Sequence, residues 1–133
     1  MDVAQALADL TEISSQIEAA VLFAPDGSVE GSTLPDDEAA KRLAAGAGRL
    51  LEQADALRGD EAPVTQIEAA TAEGCVFVVR EGDRLIAATT VANPTVGLVF
   101  YDLKTCLRDS AAPTEPDKPK RRRTTPKNEE DES

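Results

Sequence analysis

Histidine and tryptophan are absent from this chain, and only four aromatic side chains occur: Phe23, Phe77, Phe100 and Tyr101. Without histidine, the commonest general base, triads of the usual kind and the commonest metal ligand are all excluded. The apolar positions are mostly Ala, Val and Leu, which leaves little to line a small-molecule pocket. Cysteine is scarce too. Cys75 and Cys106 sit inside apolar segments without metal-like spacing, and read as reduced core residues rather than a disulfide or a reactive thiol. No apolar run approaches the roughly 18–20 residues of a membrane span. The opening MDVAQALADL has an acid at position 2 and no apolar run, unlike a signal peptide, so a soluble cytoplasmic protein is expected. No glycine-rich phosphate loop ending in Lys-Ser/Thr occurs. The G-x-G at Gly46–Gly48 lies within a helical stretch rather than after a strand, which makes it a packing feature.

Charge is abundant and one-sided. The formal net charge is −11. Residues 110–133 hold six acids and six bases, leaving 19 of the 25 acids and 8 of the 14 bases to residues 1–109. A body that acidic repels phosphate backbones, so the folded part is not expected to bind nucleic acid. At 133 residues the chain accommodates one domain, 1–109, and a tail, 110–133. A domain of this size buries about two-thirds of the surface its unfolded chain exposes, enough to need no metal or disulfide.

Taken in order, Asp2 and Gln5 have capping-box spacing, and Val3, Leu7, Leu10 and Ile13 recur at helical intervals, predicting a helix over 3–14. IEAAVLFA (17–24) is apolar on both faces apart from Glu18, as in a central strand. Pro25-Asp26-Gly27-Ser28 is a turn, and 29–34 returns as a shorter strand. After a long helix, VTQIEAAT (64–71) alternates in the half-exposed manner of a sheet edge or of an edge paired with another subunit. CVFVVR (75–80) and RLIAATTV (84–91) read as buried strands joined by a Glu-Gly-Asp turn. Asn93 or Thr95 can cap a last helix with the stripe Val96, Val99, Leu103 and Cys106 or Leu107. The order α-β-β-α-β-β-β-α, with hairpins at all strand connections but one, predicts an α/β (α+β) fold in which helices cover both faces of an antiparallel sheet.

The long helix, Asp36–Gly59, organises the rest. Asp36 is a capping residue, Asp37 and Glu38 suit the positive end of the helix dipole, and Gly59 supplies the left-handed stop. Leu43, Ala47, Leu50, Ala54 and Leu57 share one face, which is expected to meet the sheet. Ala40, Ala44 and Gly48 form a second, nearly side-chain-free row. Gly46 and Gly48 each cost roughly 1 kcal/mol against Ala inside a helix, a cost that close approach of another backbone would offset.

No convergent catalytic site can be assembled, so an enzyme is not expected, and no cofactor is implied. Glu18 and Glu68 lie inside strands, where edge or interface pairing with an Arg explains them better than acid–base catalysis. From Ser110 onward there are four prolines and no Val, Leu, Ile or aromatic residue, the composition of a disordered tail. There KPKRRR (118–123) precedes Thr124 and Thr125, a setting that basic-directed kinases favour, although an unmodified solvated linker is the simpler reading. KPKRRR is also similar to nuclear localisation signals and anionic-surface patches, and contact with the acidic body is an equal alternative that salt would weaken.

With the elements laid out, residues 3–108 resemble a Roadblock domain, the family of dynein light chains and bacterial small-GTPase regulators. The resemblance rests on the opening helix leading into IEAAVLFAPDGSVEGS, the Ala/Leu helix, the strand with Ile67-Glu68, and the closing NPTVGLVFYDL. A hydrophobic strand ending in an acidic-Gly turn (Val21–Gly27) and a Gly97-Leu98-Val99 near the start of the last helix recur in that family. The Asn93-Pro94 entry and the charged tail are not standard in it. The resemblance implies a five-stranded antiparallel sheet with the long helix on one face and the terminal helices on the other. It implies homodimerisation through the long helix and the 64–71 edge strand, with Ala40, Ala44, Ala47, Gly48, Leu51, Thr65, Ile67 and Ala69 at the interface. A Gly48→Leu change should then break association. The implied function is a non-catalytic adaptor or regulator of a small Ras-like GTPase. A motor or signalling-complex adaptor is an alternative partner assignment, and a small-ligand sensor of related α/β/α architecture an alternative class.

Overall fold

The computed structural model describes residues 2–59 and 62–111. Its elements are α1 (Val3–Ile13), β1 (Ile17–Phe23), β2 (Val29–Ser32), α2 (Asp37–Arg58), β3 (Gln66–Ala70), β4 (Cys75–Glu81), β5 (Arg84–Thr90) and α3 (Val96–Ala111). The five strands form one sheet in the order β2-β1-β5-β4-β3, with every neighbouring pair antiparallel. The two strands richest in apolar residues flank the centre, and the short β2 and the half-exposed β3 take the two edges, as their burial patterns demand.

Local chemistry sets the boundaries. The Asp2 carboxylate accepts from the Gln5 backbone N–H at 2.8 Å, while the Gln5 amide donates forward to Asp9 at 3.0 Å rather than back to the cap. Asp36 accepts from Glu38 N–H at 3.0 Å, and Gly59 ends α2 at φ +70. In the β1–β2 turn, Asp26 accepts from both the backbone N–H (2.9 Å) and hydroxyl (2.7 Å) of Ser28, which holds its carboxyl below the usual range, and Gly27 takes φ +93. Thr95 holds the N-terminal position of α3: its carbonyl accepts from Val99 N–H, and its own N–H donates to Gln16 Oε1 at 2.7 Å. Asn93 instead forms a left-handed turn at φ 55. Helix α3 continues through the composition change at Ser110 to Ala111. Ser110 is buried with its hydroxyl satisfied, donating to the Leu107 carbonyl and accepting from Arg84.

Two cores sandwich the sheet. On one face α1 and α3 pack Leu7, Leu10, Leu103 and Leu107 on Ile17, Leu22, Phe77, Val79 and Ile86, with Phe77 and Phe100 edge to face at 4.9 Å. On the other, α2 packs Ala40, Ala44, Ala47 and Leu51 on Val21, Phe23, Val78, Leu85 and Ala87. The face of α2 is therefore shifted from the one expected: Ala40 and Ala44 join Ala47 in the core, while Leu43 and Leu50 are only partly buried against it. Ala40, Ala44, Ala47 and Leu51 are 0–3 % exposed within this chain alone, whereas Leu57 is 88 % exposed. Steps of four, three and four also link Ala40 to Leu51, so helical periodicity fits two neighbouring stripes equally well. The small side chains won because they let the helix axis lie close to a sheet face already filled by Val, Leu and Phe.

Candidate functional site

Helix α2 crosses β1, β2 and β5 and leaves the far edge of its own sheet face uncovered. The result is an open groove of about 490 Å³ between α2 and the β3–β4 hairpin. From α2 it is lined by Leu43, Gly46, Ala47 and Leu50, with Arg42, Arg49 and Gln53 at the rim; from the sheet, by Ala69 of β3 and Val76 of β4, which are cross-strand partners. The lining is overwhelmingly apolar. Leu43, Leu50 and Leu57 are seven residues apart and so lie along one line of the helix, with Gly46 in the gap between the first two. A side chain added at Gly46 would meet nothing within 4 Å, so no contact inside the chain accounts for its helix cost.

Beside the groove, β3 pairs with β4 from Gln66 to Ala70, and among the described residues no strand pairs with its other edge. That edge therefore carries free backbone donors and acceptors next to an apolar surface. Its entry is held by a carboxylate–guanidinium clamp. Arg80 Nη2 donates to both oxygens of Asp55 (2.8 and 3.0 Å) and to the Val64 carbonyl (2.6 Å), while Val64 N–H donates to Asp55 at 2.8 Å. The end of α2, the lead-in to β3 and the end of β4 are thus joined at one point. The bond from Arg80, helped by that from Val64 N–H, holds the Asp55 carboxyl below its usual range.

Of the residues expected at an interface, Ile67 and Ala69 are half-buried on the α2 side of β3, and Ala69 lines the groove. Thr65 is exposed just before β3, its carbonyl bonded to Arg80 N–H. Gly48 lies elsewhere, in a separate depression with Phe23, Pro25, Leu51, Glu52, Arg80 and Leu85, and also has open space beside it. The groove residues on the stripe that sequence reasoning turned to the sheet are Leu43, Ala47 and Leu50; the seven-residue leucine spacing was the available signal. Glu18 and Glu68 are exposed on β1 and β3, and Arg80, Arg84 and Arg108 pair with Asp55, Glu30 and Glu81 rather than with either. Thr124 and Thr125 lie outside the described residues.

Among the described residues the remaining titratable groups do not converge. Burial pushes the Cys106 thiol up to about 11, so it stays protonated, and Cys75 is also buried without a disulfide. Asp102 of α3 is 6 % exposed, and burial raises its carboxyl above the ordinary value. Among the described residues no three His, Cys, Asp or Glu side chains are grouped to hold a metal ion, and no helix is long and apolar enough to cross a membrane. The geometry offers a contact surface: an apolar groove alongside an open strand edge.

No family model matches the chain, and no curated protein matches it by sequence. Solved structures do match in shape. A Roadblock/LC7 domain from Streptomyces avermitilis superposes with a TM-score of 0.74 at 20% identity, over 82% of this chain and 94% of that one. MglB from Myxococcus xanthus gives 0.69 at 14% identity, over 80% and 83%. A structure of MglB with a tetrameric arrangement gives 0.64 at 17% identity, over 82% and 85%. The chain has the Roadblock/LC7 fold. Its five-stranded antiparallel sheet, with one long helix on one face and two terminal helices on the other, matches the architecture that the sequence resemblance implied.

Proposed function

We propose that this chain is a homodimeric adaptor that regulates a small Ras-like GTPase and carries no catalysis of its own. The observation that carries the dimer is the uncovered groove between α2 and β3 beside an unpaired strand edge. A second copy related by a two-fold axis would set Leu43, Gly46 and Leu50 against their counterparts and extend the sheet through β3, satisfying both needs at once. The interface set is accordingly Leu43, Gly46, Leu50, Thr65, Ile67 and Ala69, with the buried Ala40, Ala44, Ala47 and Leu51 supporting it from beneath. The assembly of MglB, a protein of similar fold, in a tetrameric arrangement supports self-association.

The GTPase partner follows from the Roadblock resemblance. Any acceleration of GTP hydrolysis would come from positioning the partner's own groups, because the reaction is driven by positioning and electrostatics. Retention of small GTPases from the same organism, loaded with GDP or a non-hydrolysable GTP analogue, on the immobilised protein tests this. Preferential retention in one nucleotide state is the expected result. Indifference to every small GTPase of that organism would overturn the partner assignment while leaving the dimer to be tested separately.

A further inference from the structure

The opposite edge of the sheet is also open. Among the described residues β2 pairs only with β1, and that pairing skips Glu30, whose carboxylate instead accepts from Arg84 at 2.7 Å. The free ladder is thereby confined to residues 31–34. Thr33 N–H donates to the Ala20 carbonyl (2.9 Å) and the Thr33 hydroxyl accepts from Ala20 N–H (2.9 Å), so Thr33 faces β1. Antiparallel alternation then turns the backbone N–H and carbonyl of Ser32 outward. A depression flanks this edge on each face of the sheet. On one side a groove of about 440 Å³ separates β2 from α1, walled by Val3, Ala4, Leu7 and Ala8. Gly31 floors it, and a Cβ there would press on Val3 and Leu7. On the other side a hollow of about 320 Å³ lies against the start of α2, lined by Val29, Leu34, Ala40, Asp37 and Lys41.

A strand added at this edge would send alternate side chains to the two faces of the sheet, and so into both depressions at once. The two differ in chemistry. The α1 wall is mostly apolar, and α1 itself carries no Lys or Arg. The α2 side carries the exposed acids Asp36, Asp37 and Glu38 against Lys41, whose contact with Glu38 is a long 3.9 Å. Glu30 and Arg84 already neutralise each other. A second copy fits this edge poorly, because a two-fold axis would bring the same acids face to face. We propose that the open edge of β2 docks an extended segment of a different protein, one that alternates apolar and basic side chains. The apolar set enters the α1–β2 groove, the basic set meets Asp37 and Glu38, and the Ser32 backbone supplies the ladder bonds. This surface is separate from the α2–β3 groove and rests on neither the dimer nor a GTPase partner.

The test adds the peptide acetyl-KVKVKV-amide to the isotope-labelled full chain and follows the backbone amide shifts. Such a peptide extends roughly 20 Å, enough to pass the roughly 13 Å of a four-residue strand. Expected are saturable shifts at residues 31–34 and at Ala4, Leu7 and Ala8, with residues 66–70 of β3 unmoved. The isomer acetyl-KKKVVV-amide has the same charge without the alternation, and should bind about tenfold more weakly. The variant Ala4→Gln/Ala8→Gln changes two exposed helix positions and should keep the circular dichroism of the parent. Its longer side chains enter the groove, so its affinity for the alternating peptide should fall about tenfold. Asp37→Asn/Glu38→Gln should weaken binding and flatten its salt dependence. Equal affinity for the two peptides, shifts centred on β3, or unchanged binding by the Ala4→Gln/Ala8→Gln variant would each overturn the proposal. So would the absence of saturable shifts at residues 31–34. Self-association that survives Leu50→Glu and is displaced by the peptide would give this edge to a second copy, and would overturn it as well.

Discussion

Asp55 and Asp102 are carboxyls pushed in opposite directions by their surroundings, and each makes a separate forecast. Asp55 titrates below its ordinary value of 3.8 because the ionised form accepts from Arg80 and Val64. A lowered folded value contributes stability above the unfolded one, and that contribution is lost as pH falls through the folded one. Asp55→Asn should therefore lower the urea midpoint at neutral pH, with the difference from the parent shrinking in acid. Asp102 behaves conversely. Burial raises it, so its contribution is fully present below 3.8 and is lost as pH rises through the folded value. Asp102→Asn should raise the urea midpoint at neutral pH and lose that advantage in acid. Parallel pH series on both variants check the two signs; equal offsets at every pH would contradict both.

Helix α2 is where reading by sequence succeeded and failed together. Its caps at Asp36 and Gly59 and its length were legible because capping chemistry is local. Which stripe meets the sheet was not legible, because Ala40–Ala44–Ala47–Leu51 and Leu43–Leu50–Leu57 both satisfy a helical period. The choice between them depended on how closely this sheet lets a helix approach. The edge strand was legible from its alternation, since only a half-covered strand reads Gln-Ile-Glu-Ala-Ala. The Asp55–Arg80–Val64 clamp was not, because it joins residues up to 25 apart in sequence. The two helix glycines distinguish the Gly48 row from the α2–β3 groove as the interface. Both have open space, so Gly46→Gln and Gly48→Gln should each stabilise the helix by up to about 1 kcal/mol. Only Gly46→Gln should weaken self-association, because only Gly46 lines the α2–β3 groove. Equal effects of the two on association would return the interface to the Gly48 side.

Among the described residues the whole molecule leaves both edges of its sheet, β2 and β3, without a further strand. On the proposed assignment the β3 edge, with its apolar groove, goes to a second copy. An acidic body repels phosphate backbones. The proposed adaptor function rests on the proposed dimer. Sedimentation equilibrium of the parent chain and of Leu50→Glu, at the same concentrations, tests it most directly. The parent should sediment at twice its 14.0 kDa chain mass, and Leu50→Glu at the mass of one chain while retaining the helical circular dichroism of the parent. A monomeric parent, or a Leu50→Glu variant that remains a dimer, would contradict the assignment of the α2–β3 groove as the interface.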